Sequence, residues 1–258
     1  MLAEMGFRLP ARAMEGVEVE AADAPAEVAA VAVAERPAAP PPVARAPVAP
    51  PVRPAPVAAP APRIAAAGFA GLDEPALRDA VAGCRACGLC EQRRHAVYGN
   101  GAVQQADWLV VTDPPDDADD TAGDALTGDA GRLLDRMLLA AGQTRSGDAP
   151  TAFVTPLVKC RPPRGRAPQP AELDACAAVL ARQVELLRPR LVLALGLQAA
   201  RRLTGLAEPL GRLRGHVHSW GGLPLVVTYH PAYLLRSPAD KAGAWDDLCL
   251  ARRTLPSS

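Results

Sequence analysis

The stretch PAELDACAAVLARQVELLRPRLVLALGLQAARRL (170–203) decides the architecture. Pro170 suits the first turn of a helix, where its missing N–H is not needed. The helix it opens runs to Leu187, and Pro189 cannot continue it. Leu191–Leu195 is an unbroken apolar run of strand length, as expected for a strand buried on both faces. Gly196 ends it, and Gln198–Leu203 returns to helical spacing. A helix, a fully buried strand and another helix make up the repeating unit of a parallel sheet covered on both sides.

The same alternation continues in both directions along the chain. Upstream, Ala152–Val158 and Trp108–Val111 read as strands. Between them Leu133, Leu134, Met137, Leu138 and Ala141 give Gly131–Ala141 one apolar helical face. Asp73 is placed to cap a short helix with Pro75 in its first turn. Downstream, Leu223–Tyr229 is a fourth strand and Ala239–Leu250 a closing helix. The expected fold is a three-layer α/β/α domain around a central four-stranded parallel sheet, without internal repeats. Ligands of such sheets bind at the C-terminal strand ends, which groups Asp113, Pro156 and His230 at one crevice.

The chain has 258 residues, enough for one sizeable domain with extensions. Order is expected from about residue 71 to 255. Residues 15–70 are mostly Ala, Pro and Val, with proline very dense from Pro37 to Pro62. With almost nothing large and apolar to bury, this stretch is expected to be a disordered, partly extended tether. Ahead of it, residues 1–14 carry Leu2, Met5, Phe7 and Leu9, a small apolar cluster of the kind that orders on a partner. Basic and acidic residues balance at 28 each, so any DNA contact must come from a local basic patch. No apolar run is long enough to span a membrane. Glu4, Arg8 and Arg12 interrupt what a secretory signal would need. Six cysteines without such a signal point to a reducing, cytoplasmic setting, where close Cys spacings favour metal over disulfides. A monomer is expected.

Cys84 and Cys87 form a C-x-x-C pair, Cys160 follows a strand, and Cys176 lies on the next helix. Two close and two distant thiolates can close a four-thiolate site for zinc or an iron–sulfur cluster. Cys90 extends the first run, so spacing alone does not choose the ligands. Cys249, on the last helix, reads as a plain buried residue.

The runs CRACGLCEQRRHAVYGNG (84–101), VKCRPPRGRAP (158–168), LRG (213–215) and YHPAYLLR (229–236), with Cys176 between them, resemble the iron–sulfur, family 4 type of the uracil-DNA glycosylase superfamily. The resemblance covers nearly all of residues 78–253. It implies a 4Fe–4S cluster on Cys84, Cys87, Cys160 and Cys176, with a structural role and without Cys90. It also implies that His230 hydrogen-bonds the uracil oxygen. Pro231–Arg236 would then form the loop that enters DNA, with Leu234 or Leu235 as an apolar wedge. Lys159, Arg161, Arg164, Arg166, Arg212 and Arg214 are candidates for a phosphate-contacting rim, and Arg236 joins them from the wedge loop.

The rest of the expected pocket departs from that family. Where the family reads the base with an asparagine amide, this chain has Pro156. Losing a paired polar reader costs about 10⁴ in discrimination. Where the family stacks the base on phenylalanine, this chain has Leu126. The family's Gly-Glu-(small)-Pro-Gly turn, which positions the attacking water, is replaced by TDPPD (112–116). Asp113 keeps a carboxylate that can hold a water or serve as a cap, and Pro114 stiffens the turn. The acidic run Asp116, Asp117, Asp119 and Asp120 reads as a solvated loop.

Two function classes follow. One is an iron–sulfur DNA glycosylase of uracil repair with weak or lost catalysis, acting on DNA that includes single strands. The other is a non-catalytic replication subunit. The chain also resembles, more faintly, the psi subunit of the bacterial clamp loader. The likeness rests on MLAEMGFRLPAR at the start, the Thr155-Pro156 step and RSPADKAGAWDDLC (236–249). It implies docking on the clamp-loader ATPase through residues 1–12.

Overall fold

The computed structural model describes residues 68–255. The segment 1–14 and almost all of the 15–70 stretch lie outside the described residues.

One sheet organises the domain. Its strands are β1 (Asn100–Gly101), β2 (Trp108–Thr112), β3 (Ala152–Pro156), β4 (Leu191–Leu195), β5 (Val217–Trp220) and β6 (Leu223–Thr228). Their spatial order is β1-β3-β2-β4-β6-β5. The four inner strands are parallel, as expected. The sheet nevertheless has six strands, because β1 and β5 add antiparallel edges. Neither edge carries an apolar run. At Gly101 in β1 a Cβ would lie 2.1 Å from the Ala152 carbonyl oxygen, so only glycine allows the approach. Strand β5 alternates exposed and half-buried residues and turns into β6 through Gly221 and Gly222, with φ of 58° and 85°. That is the positive-φ pair of a two-residue hairpin turn.

Period-two alternation sends strand side chains to opposite faces. On one face Leu109, Val111, Phe153, Val192, Ala194, Leu225 and Val227 pack with helices α1 (Glu74–Ala82), α4 (Pro170–Leu187) and α5 (Leu197–Thr204). On the other, Trp108, Val110, Val154, Leu193, Leu195 and Val226 pack with α3 (Gly128–Ala140), α7 (Pro231–Arg236) and α8 (Lys241–Thr254). The result is the expected three-layer order. Asp73 caps α1 by accepting the Ala76 N–H at 3.0 Å. Helix α4 has the expected bounds and ends at Arg188, whose φ of 45° breaks the helix just before Pro189.

Three short helices were not expected: α2 (Asp117–Ala122), α6 (Leu210–Leu213) and α7, in the segment read as a wedge loop. The first corrects the reading of the acidic run as solvated. Asp116 caps α2, accepting the Asp119 N–H at 2.9 Å. Asp119 and Asp120 are buried. Asp119 accepts the Thr127 N–H at 2.8 Å and the Thr127 hydroxyl at 2.9 Å, and Asp120 accepts the Arg94 N–H at 3.0 Å. Carboxylates crowd here because the first turn of a helix offers unpaired N–H groups and a favourable dipole.

Candidate functional site

The register places Thr112 beside both Pro156 and Leu195, and Leu195 beside Thr228, so the parallel strands end in one row. Asp113, Pro156 and His230 all emerge at that end.

His230 caps α7, its Nδ1 accepting the Ala232 N–H at 3.2 Å. A neutral imidazole has one donor nitrogen and one acceptor. The proton is therefore on Nε2, which donates to the Thr112 hydroxyl oxygen at 2.9 Å. Burial holds the ring down to about 4, against the pull of Asp116. It is neutral at physiological pH, with both nitrogens engaged.

Asp113 is engaged with other partners. Its Oδ1 accepts the Ala199 N–H at 2.9 Å, capping α5 from the end of the neighbouring strand β2. Burial pushes this carboxyl up to about 6, although the N–H groups of Ala199 and Gln198 favour its charged form. Gly196, at φ 95°, makes room for it; a Cβ there would sit 2.4 Å from the carboxylate. Pro114 is half-buried beside it in the same turn.

Pro156 closes β3. Its carbonyl accepts from Lys159 Nζ at 2.8 Å, and the same ammonium donates to Thr155 Oγ1 and, at 3.1 Å, to Gln183 Oε1. Lys159 is wholly buried, which lowers its pKa to about 7, so it is not part of a phosphate rim. Leu126 is also buried and holds a left-handed backbone, φ 50°. Its carbonyl is gripped by Arg145 at 3.0 Å. Gly131 approaches so closely that a Cβ would lie 1.9 Å from that oxygen.

The basic rim is smaller than expected. Arg214 pairs with Asp247 at 2.6 Å and lies over the Tyr229 ring at 3.9 Å, largely buried. Arg161 pairs with Asp117 at 2.8 Å, and Arg166 with Glu172 at 2.6 Å. Arg164, Arg212 and Arg236 are exposed. Of the two wedge candidates, Leu234 is in the core and Leu235 is 43% exposed. Tyr233, stacked on Tyr229 at 5.1 Å and held through its hydroxyl by Asp240 at 2.7 Å, is exposed beside Leu235.

Five thiols line one cavity: Cys84, Cys87, Cys90, Cys160 and Cys176, with Arg93 beside them. Arg93 Nη1 donates to Cys160 Sγ at 3.0 Å. Burial raises the Cys87 and Cys160 thiols and pushes Cys176 up to about 11. Among the described residues, no three His, Cys, Asp or Glu side chains converge as a site for a single ion. Cys249 is half-buried on α8 and does not line this cavity.

Thr112 and Arg145 escaped the sequence reading as site residues, and Lys159 was placed in the rim instead of the interior. The first had a signal: TDPPD laid on the five-residue family turn puts Thr112 at its first glycine. Lys159 looked like one more rim cation, and Arg145 sits in a loop with no motif.

The uracil DNA glycosylase superfamily model matches residues 98–249. A type-4 uracil-DNA glycosylase of Pyrobaculum aerophilum is 36% identical over 187 residues, 69% of this chain and 93% of that protein. Its counterpart from Saccharolobus solfataricus is 31% identical over 189 residues, 70% of this chain and 86% of that one. The one from Archaeoglobus fulgidus is 33% identical over 163 residues, 60% and 79% respectively. The family model spans the whole sheet, Cys160, Cys176 and the strand-end His230, more than half of the chain, and the chain belongs to the uracil-DNA glycosylase superfamily.

Proposed function

We propose that this chain is an iron–sulfur DNA-repair protein of the uracil-DNA glycosylase type whose base pocket has been turned over to holding the fold together, leaving uracil excision weak or lost. The observation that carries this is Pro156. The residue at the end of β3 has no N–H and no side-chain amide, and its carbonyl is already taken by Lys159. A flipped base needs hydrogen bonds to its edge, and this position has none left to give. Asp113 is occupied in capping α5, and Leu126 lacks the flat π face on which a base stacks.

Cys84, Cys87, Cys160 and Cys176 would hold a 4Fe–4S cluster. Several cysteine sulfurs lining one cavity provide the all-thiolate donor set that iron–sulfur clusters use. Thiols raised by burial stay protonated until a metal takes the proton's place. Arg93 offsets the negative charge of bound thiolates. When bound, the cluster supplies a structural cross-link between the segment after α1, the segment after β3 and helix α4. DNA would meet the exposed Leu235, Tyr233, Arg212 and Arg236.

Restoring the reader tests the proposal. Pro156→Asn with Leu126→Phe should raise uracil release from a single-stranded oligonucleotide well above the parent, and His230→Ala should abolish the gain. An unmodified protein that already turns over uracil rapidly would refute it.

The internal engagement of Asp113 and His230 also favours the second reading, a non-catalytic replication subunit docked through residues 1–12 on the clamp-loader ATPase. Deleting those residues, or the double change Met5→Asp, Phe7→Asp, should then end co-purification with the ATPase while leaving the domain folded. Equal binding by the truncated protein would exclude it.

A further inference from the structure

We infer that Thr112 is a specificity-determining residue of this pocket: its hydroxyl takes the one hydrogen bond His230 has to offer and so latches the histidine away from any base. The inference rests on the degraded-pocket reading above and adds to it the residue that closes the histidine side.

The donor count leaves little choice. His230 Nδ1 is occupied by the Ala232 N–H, so a neutral ring has only Nε2–H to give outward. That proton points at Thr112 Oγ1, 2.9 Å away. Thr112 cannot easily withdraw. It is the last residue of β2, 2% exposed, aligned with Pro156 on one side and Leu195 on the other. Its carbonyl is fixed by the Leu157 N–H at 2.9 Å. A β-branched side chain in a strand has a stiff χ1, which restricts the hydroxyl's freedom to turn away. A base carbonyl seeking His230 must therefore displace both the hydrogen bond and the volume of the threonine. At the first residue of this turn the glycosylase pattern has glycine, which has neither.

The ring is tied to the backbone at Nδ1 and to a side chain at Nε2, so the two bonds can be separated by mutation. Thr112→Ala removes the acceptor and most of the volume. Thr112→Ser keeps the hydroxyl and serves as the conservative control.

Two readouts test the latch on full-length holoprotein. The first is the His230 Nε2–H resonance and its exchange with water, followed by NMR. It should be slow in the parent and in Thr112→Ser, and at least tenfold faster in Thr112→Ala. The second is uracil release in the Pro156→Asn, Leu126→Phe background. There Thr112→Ala should add about a further tenfold that disappears with His230→Ala, whereas Thr112→Ser should add little. Unchanged Nε2–H exchange in Thr112→Ala overturns the latch. So does a Thr112→Ala triple variant no more active than the double variant that already gains. In either case Pro156 and Leu126 stand as the reason for low activity. Rapid release by the unmodified protein overturns the pocket reading itself, and the latch with it.

Discussion

Arg93 ties the thiol cavity to the end of α1: Nη1 donates to Cys160 Sγ at 3.0 Å while Nη2 donates to the Ala82 carbonyl at 2.6 Å. One guanidinium thus both contacts the Cys160 sulfur and fixes the segment that carries Cys84 and Cys87; with the proposed cluster bound it would offset thiolate charge. Donors to a ligating sulfur stabilise the metal-bound form and orient the ligand. Arg93→Met should leave a protein that still folds but loses its cluster severalfold faster in air, followed as bleaching of visible absorbance. Bleaching at the parent rate would remove Arg93 from the cluster's support.

The proposed ligand set divides the thiols by role. The protein purified without oxygen should be brown. Serine at Cys84, Cys87, Cys160 or Cys176 should lose colour and solubility together, whereas Cys90→Ser should keep both. Iron and sulfide analysis checks this directly; zinc in place of iron, or colour lost only with Cys90→Ser, would overturn the ligand set.

Asp113 and His230 should bend the pH dependence of stability in opposite directions. Burial raises Asp113 from 3.8 to about 6, so between those values the folded state binds more protons than the unfolded chain. Its contribution is present at low pH and lost as pH rises through about 6. His230 is lowered from 6.5 to about 4, so its contribution is present above about 6.5 and lost as pH falls towards 4. Asp113→Asn, which can still accept from Ala199, should gain stability over the parent from pH 4 to 7, on the order of 2–3 kcal/mol. His230→Gln should gain at the acid end of that range instead. Urea midpoints across the range check both, and curves parallel to the parent's would contradict the assignments.

The wedge segment gives a pair of variants with different fates. Leu234 is 1% exposed and Leu235 43%. Leu234→Asp buries an unpaired charge and should unfold the domain. Leu235→Asp should fold normally and weaken binding to single-stranded DNA, measured by fluorescence anisotropy. Unaltered affinity would place the DNA contact elsewhere.

The inner sheet was legible because its strands are unbroken apolar runs such as Leu191–Leu195, and because Pro170 and Pro189 bracket α4. The edges were not. Strand β1 is an Asn-Gly dipeptide, and β5 is half exposed, though Gly221-Gly222 before Leu223 was a readable hairpin signal. The strand-end grouping of Asp113, Pro156 and His230 followed from their places at the C-terminal ends of parallel strands. How those groups are occupied did not. Asp113 meets Ala199 86 positions away and His230 meets Thr112 118 away, and no local pattern encodes such pairs. Lys159 and Arg214 show the same limit. Each is a cation in a basic-looking segment, yet one is buried among Thr155, Pro156 and Gln183 and the other lies between Asp247 and Tyr229. Charge in sequence does not say whether it faces water.

In the proposed reading the pocket no longer excises uracil effectively. Single-turnover release of uracil from a single-stranded oligonucleotide, with cluster-loaded protein beside a type-4 uracil-DNA glycosylase, tests it most directly. With the polar reader gone, the rate should fall about 10⁴-fold below that enzyme. A rate within tenfold of it, abolished by His230→Ala, would contradict the account.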